Sequence, residues 1–253
     1  MTQAAASTPK IEQLEEDLAF PSTDLWSDEP PLESDLHRDQ IDLLIRLIRW
    51  AFRDRQDVYV AGNLTVYYSP RQKKSEYFRG PDVFVVMGTE NHPRRSWTVW
   101  HEGGRYPNIV IELLSDSTAD VDCGEKKELY QSVWRLPEYF WFDPATLEFQ
   151  GFQLAKGQYK PIQPTTQGWL WSDELGLYLG IHDQKLRLFA ANETLLPLPE
   201  EDAIHQVEQE RQRAERAEQK LQQVQAQQEQ LLSKLRSLSP EQIQALGLDL
   251  PES

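Results

Sequence analysis

Two acids and a lysine carry the chemistry that this 253-residue sequence suggests. Glu112 interrupts an apolar run, residues 108–114 (NIVIELL), whose β-branched and leucine residues scarcely alternate, the pattern of a strand covered on both faces. A carboxylate buried there alone would protonate or cost several kcal/mol, so it asks for a cation, a metal or a strong hydrogen-bond donor. Asp82 follows Gly80 and Pro81 and stands at the mouth of a second such run, residues 83–87 (VFVVM). Beyond Glu112 a polar turn, residues 115–118 (SDST), offers capping hydroxyls to a helix on which Asp122, Lys126 and Tyr130 recur at every fourth residue and so share one face.

Two carboxylates on adjacent buried strands, with an ammonium reaching over them, make a site for a hard divalent cation. Mg2+ (or Mn2+) takes oxygen ligands and keeps waters and a substrate phosphate in its shell. Such a metal activates water and neutralises phosphate charge, while lysine orients the water or stabilises the developing oxyanion. The expected ligands are Asp82, Glu112 and the backbone carbonyl of Leu113, with Lys126 as the electrostatic partner. Glu112 taken alone reads equally well as a buried acid paired with a core lysine or arginine. The metal reading gains its weight from the trio together.

These residues need a scaffold, and the chain supplies one in order. Residues 1–32 are rich in Ala, Ser, Thr, Pro and acids and read as a largely disordered acidic arm, with a short amphipathic piece around residues 11–20. Residues 33–52 repeat apolar side chains from Leu36 to Phe52 at helical spacing, with Ser34 as N-cap. His37, in the first turns of this helix, is expected to be structural or capping rather than a metal ligand. Residues 57–68 read as two short strands about Gly62-Asn63, a hairpin or bulge signal. Arg71, Lys73, Lys74 and Arg79 then form a basic loop, either merely solvated or a lip beside the site. Residues 88–106 show no period and are expected to be a surface excursion. After the helix through Trp134 comes a strand at 137–143, then antiparallel strands at 147–154, 157–162 and 185–189 with shorter ones at 169–171 and 175–179. Most Trp and Tyr residues are expected in the core or at interfaces rather than as base-stacking platforms.

Past Pro199 the composition turns to Glu, Gln, Arg and Ala. Apolar residues from Ile204 to Leu238 follow three-and-four spacing, with a phase slip expected between Ala214 and Ala217, and the segment reads as a coiled-coil helix, either a modest dimer helix or one that packs within its own chain. The organisation is therefore an arm at 1–32, a folded domain at 33–198 and a helical tail at 199–253.

The formal net charge is −15, which speaks against nucleic acid, but it divides as −6, −3 and −6 over residues 1–32, 33–190 and 191–253. A nearly neutral central domain can carry a basic cleft. No window approaches a membrane span, and the N-terminal residues have neither a basic nor an apolar signal region. The single Cys123 suits a reducing compartment and is read as packing rather than catalytic. The expected compartment is the cytoplasm.

The spaced set Pro81-Asp82, Glu112-Leu113-Leu114-Ser115, Asp122-x-x-x-Lys126-x-x-x-Tyr130 and Pro137-Glu138-Tyr139 through Asp143-Pro144 resembles the Uma-type endonucleases of the restriction-endonuclease-like, PD-(D/E)XK superfamily. The resemblance covers roughly residues 33–190. It implies an α/β (α+β) fold with an αβββαβ core and added antiparallel strands, and a metal-dependent hydrolysis of DNA phosphodiester bonds. The superfamily lysine stands two residues after the acid, where this chain has Leu114. In the Uma-type group the lysine has moved to the following helix, the place of Lys126, with Lys127 the weaker candidate because it points about 100° away. The resemblance gives Asp122 and Tyr130 supporting roles and suggests a homodimer. A catalytically silent nuclease-fold scaffold assembled through the tail is the alternative.

Overall fold

The computed structural model describes residues 35–72, 76–115 and 122–239. The chain forms two compact units, residues 1–198 and 199–253. The expected arm, Ser34, Lys73, Lys74 and the end of the tail lie outside the described residues.

The first unit opens with α1 (Asp35–Ala51), where Ile41, Leu44, Leu47 and Ile48 fall on one side at three-and-four spacing and are buried. Leu36, the first residue of that expected stripe, is instead exposed. The main sheet contains β1 (Val58–Gly62), β4 (Val83–Met87), β6 (Ile109–Leu113), β7 (Glu138–Phe142), β8 (Phe149–Ala155) and β9 (Gln158–Pro161) in that spatial order. Only the β6–β7 pair is parallel, and such a pair needs a crossover. The crossover is α2, made of two wide turns, Asp122–Lys126 and Tyr130–Trp134, about the single α-helical turn Lys127–Leu129. Each wide turn is π-helical, its N–H groups reaching back five residues. Arg135, in the left-handed region at φ 51°, ends α2 and turns the chain toward β7.

Burial on both faces explains why the strands read as continuous apolar runs. Ile109, Ile111 and Leu113 join α1 in one core, whereas Val110 and Leu114 join Tyr130 and Trp134 of α2 in the other. Glu112 has the parity of Val110 and therefore faces α2. The arrangement is the αβββαβ core of the restriction-endonuclease-like fold, with β8 and β9 as added antiparallel strands.

Two expectations are corrected. The strands about Gly62-Asn63 do not pair with each other: β1 joins β4, while β2 (Val66–Tyr67) joins a separate sheet with β3 (Phe78–Arg79) and β5 (Trp97–Thr98). Asn63 at φ 47° redirects the chain out of the main sheet instead of closing a hairpin. The excursion at 88–106 is also not all surface, because Ser96 to Val99 are buried. The Arg94 guanidinium lies over Tyr59 and Trp97 at 4.5 and 4.8 Å and pairs with Glu102 at 2.6 Å, which holds this irregular segment against the sheet.

A third sheet, β10 (Leu170–Ser172), β11 (Leu177–His182) and β12 (Lys185–Phe189), covers α1. The Gln40 amide bonds both backbone groups of Leu186, at 3.0 and 3.1 Å. A second buried acid, Glu138 at the start of β7, ties the sheets together: its carboxylate accepts from the Ser172 hydroxyl and, at 2.7 Å, from the Asp173 N–H. The second unit is described by its helix α3 (Pro199–Arg236), none of whose residues is buried. No helix among the described residues is long and apolar enough to cross a membrane.

Burial pushes the Glu138 carboxyl up to about 7 from an ordinary 4.5, outweighing the hydrogen bonds from Ser172, Asp173 and Glu174. The folded protein thus holds this proton more tightly than the unfolded chain does. The linked stability is complete below about pH 4.5 and is lost as pH rises through 7. Glu138→Gln, a neutral isostere whose amide oxygen can accept from the Asp173 N–H while its NH2 donates to the Ser172 hydroxyl oxygen, is expected to stabilise the protein at pH 8 and leave it nearly unchanged at pH 4.5. The change in that difference across the range should be roughly 3 kcal/mol, read from denaturant unfolding of the two proteins at each pH.

Candidate active site

Asp82 owes its position to the chain on either side. Gly80 and the buried Pro81 bring it to the start of β4. The Asn63 N–H donates to its carbonyl at 3.0 Å. Gly62 makes this approach possible, since a Cβ there would lie 2.6 Å from the Asp82 carbonyl oxygen and as close to the Ile45 side chain. The Asp82 carboxylate then turns to the next strand: its Oδ2 accepts the Leu113 N–H at 2.7 Å.

Glu112 is wholly buried in β6, yet three donors converge on it. The Tyr130 hydroxyl donates to Oε1 at 2.5 Å, the Lys126 ammonium to Oε2 at 3.2 Å, and the Asp82 N–H points at Oε2 from 3.4 Å. The cation and the phenol offset the desolvation that a lone buried carboxylate would suffer. Lys126 and Tyr130 reach the same carboxylate because the α-helical turn Lys127–Leu129 lies between them, and residues four apart share one side of a helix. Lys127 turns elsewhere, its ammonium 3.5 Å from the centre of the Phe152 ring. Asp122 begins α2, and its side chain lies outside the described residues.

The structure therefore brings together Asp82, Glu112, Lys126 and Tyr130. The Leu113 N–H faces Asp82, and in an extended strand the carbonyl of the same residue shares that edge. One further residue enters the group. His37, expected to be structural or capping, is buried with Nε2 3.4 Å from Asp82 Oδ2. It also lines a cleft of about 150 Å3 at the carboxyl ends of β6 and β7, with Leu114, Ser115 and the 143–145 turn across from it. Asp143 shapes that wall. Although partial burial raises its carboxyl, the N–H groups of Thr146 and Ala145 hold it below the ordinary aspartate range. Spacing gave no reason to join His37 to the site, because it reaches the cleft through the packing of α1 against β4, whereas Asp143 stood in the motif from Pro137 to Pro144 without an assigned role.

Among the described residues, no three His, Cys, Asp or Glu side chains converge closely enough to cage a metal by themselves. The donor set fits a hard cation in its open form, in which one or two carboxylates and a backbone carbonyl leave the remaining positions to water and phosphate oxygens. Asp82 and Glu112 are the carboxylates on hand, and Glu112 Oε2 is shared with Lys126.

No curated protein matches the chain. A solved structure of a putative nuclease belonging to DUF820 from Anabaena variabilis ATCC 29413 is similar at 10% identity and a TM-score of 0.42, over 57% of this chain and 76% of that one. The sequence profile of Uma2, described as "Putative restriction endonuclease", matches residues 9–190, and by that match the chain belongs to the Uma2 family.

Proposed function

We propose that this protein is a metal-dependent endonuclease that hydrolyses DNA phosphodiester bonds in the cytoplasm, acting as a homodimer. The observation that carries the reading is the meeting of Asp82 and Glu112 from adjacent strands with Lys126 from the crossover helix. Asp82, Glu112 and the Leu113 carbonyl would hold Mg2+ or Mn2+, which supplies an activated water and neutralises charge on the scissile phosphate.

The chain's own groups do the rest. Tyr130 fixes one oxygen of Glu112 and so aims the other toward Asp82. Lys126, only 17% exposed, keeps its ammonium at the Glu112 carboxylate, where low local polarity strengthens its attraction for a developing oxyanion. His37 steadies Asp82 from the α1 side and closes one wall of the cleft. Asp122 would support Lys126 from the start of the same helix.

One observation favours the catalytically silent alternative. Both oxygens of Glu112 are already engaged, by Tyr130 and Lys126, as they would be in a purely structural ion pair. The two readings separate at Asp82, which a structural pair does not need.

Wild type should nick supercoiled plasmid in Mg2+ or Mn2+, and Asp82→Ala, Glu112→Ala and Lys126→Ala should each lose about 100-fold or more in rate. A folded wild type that cleaves no better than these variants would put the scaffold reading first. Mg2+ should raise the melting temperature of wild type, and Glu112→Ala should abolish the rise. Tyr130→Phe leaves Glu112 Oε1 short of a donor in a buried site. It should cost about 1–3 kcal/mol in denaturant unfolding and lower cleavage less than loss of Lys126 does.

A further inference from the structure

Helix α3 runs 38 residues with no residue buried. At 1.5 Å per residue it is about 57 Å long. Its apolar side chains stand in water, Val207 at 67% exposure, Leu221 and Val224 at 58% and Leu231 at 62%. Most helix stability in proteins comes from packing an apolar face, so a helix of this length with such a stripe is built to be covered.

The phase slip expected at Ala214 and Ala217 is not there. From Val207 to Leu235 the stripe keeps one seven-residue register, broken by Glu210 and Gln228, with Ile204 and Leu232 beside it. In heptad terms Val207, Ala214, Leu221, Gln228 and Leu235 occupy the a positions. Glu210, Ala217, Val224 and Leu231 occupy the d positions, and Leu238 follows the end of the helix at Arg236.

We propose that this stripe is an interface with a second copy of the same chain, paired parallel and in register as a two-stranded coiled coil. Two features choose this occupant. Gln228 sits in the seam, and in a parallel, in-register pair its amide meets the same amide and is satisfied by hydrogen bonding. The g column carries Arg213, Lys220 and Lys234 with two glutamines and no acid. Antiparallel pairing sets g against g and therefore cation against cation. Parallel pairing sets g against e, which places Arg213 opposite the partner copy's Glu218, twice by symmetry, and brings no like charges together along the flanks.

The same heptads locate the strength of the contact. Ala214 and Ala217 bury little, and Glu210 meets its own copy, so the first half of the seam is weak. Leu221, Val224, Leu231 and Leu235 carry the pairing, and Leu232 at an e position widens it. Parallel pairing sets the two Pro199 ends side by side. Two copies of the first unit are then tethered at the same end, and, on the nuclease reading, two sites can engage one duplex.

Light scattering of the full chain at about 10 µM should give twice the 29.5 kDa chain mass. The double variant Leu221→Glu/Leu231→Glu should be monomeric there, with dissociation about 100-fold or more easier, while Glu210→Leu should tighten the dimer by about tenfold. In a Cys123→Ser background, Gln228→Cys should form a covalent dimer on mild oxidation and Ala226→Cys, at an f position on the outer face, should not. A monomeric wild type, a double variant that stays dimeric, or failure of Gln228→Cys to cross-link would each overturn the proposal. These masses hold whether or not the protein cleaves DNA, so loss of the nuclease reading would leave the pairing standing.

Discussion

A carboxylate with no exposed surface, in the middle strand of a sheet covered on both sides, sets the terms for much of the first unit. Glu112 can be there only because α2 lays a phenol and an ammonium against it. That requirement fixes the rotation of α2 on the sheet, and α2 is also the crossover that makes β6 and β7 parallel. The position of β7 in turn aligns Phe140 and Phe142 with α1's core and Tyr139 and Trp141 with that of α2. The polar contact and the two hydrophobic layers are thus satisfied by one placement of one helix.

Strands β6 and β7 also carry a second buried acid, and the contrast between the two is instructive. Glu112 near the carboxyl end of β6 is answered by a cation. Glu138 at the amino end of β7 is answered by a hydroxyl and backbone N–H groups alone, and burial raises it to about 7. Chemistry tends to need charge, whereas a clasp between sheets needs only geometry. The environments of the two glutamates differ accordingly.

The sequence made the long elements legible and the short ones not. The apolar runs of β4, β6 and β7, broken only by Glu112 and opened by Glu138, and the three-and-four stripe of α1 each follow from burial. Strands β2, β3 and β5 are two residues long and cannot carry such a pattern, so the pairing of Val66 with Arg79 and Trp97 was not readable. Within the site, the four-residue steps put Lys126 and Tyr130 on the face that meets Glu112, and Pro81-Asp82 marked the second acid. His37 escaped because its nearness to Asp82 comes from the packing of α1 on β4, not from any local spacing.

The wide turns of α2 bear on how such a protein could change over time. A π turn holds one residue more per set of backbone bonds than an α turn does. The turn between Lys126 and Tyr130, Lys127–Leu129, is α-helical and has no such residue to give up, so loss of one residue there would swing one flank by about 100° relative to the other. Lys126 and Tyr130 would then no longer meet at Glu112, although every acid and the lysine remained in the chain. A short deletion on the outer side of this fold is therefore a route to a silent relative that an inventory of motif residues would still count as intact.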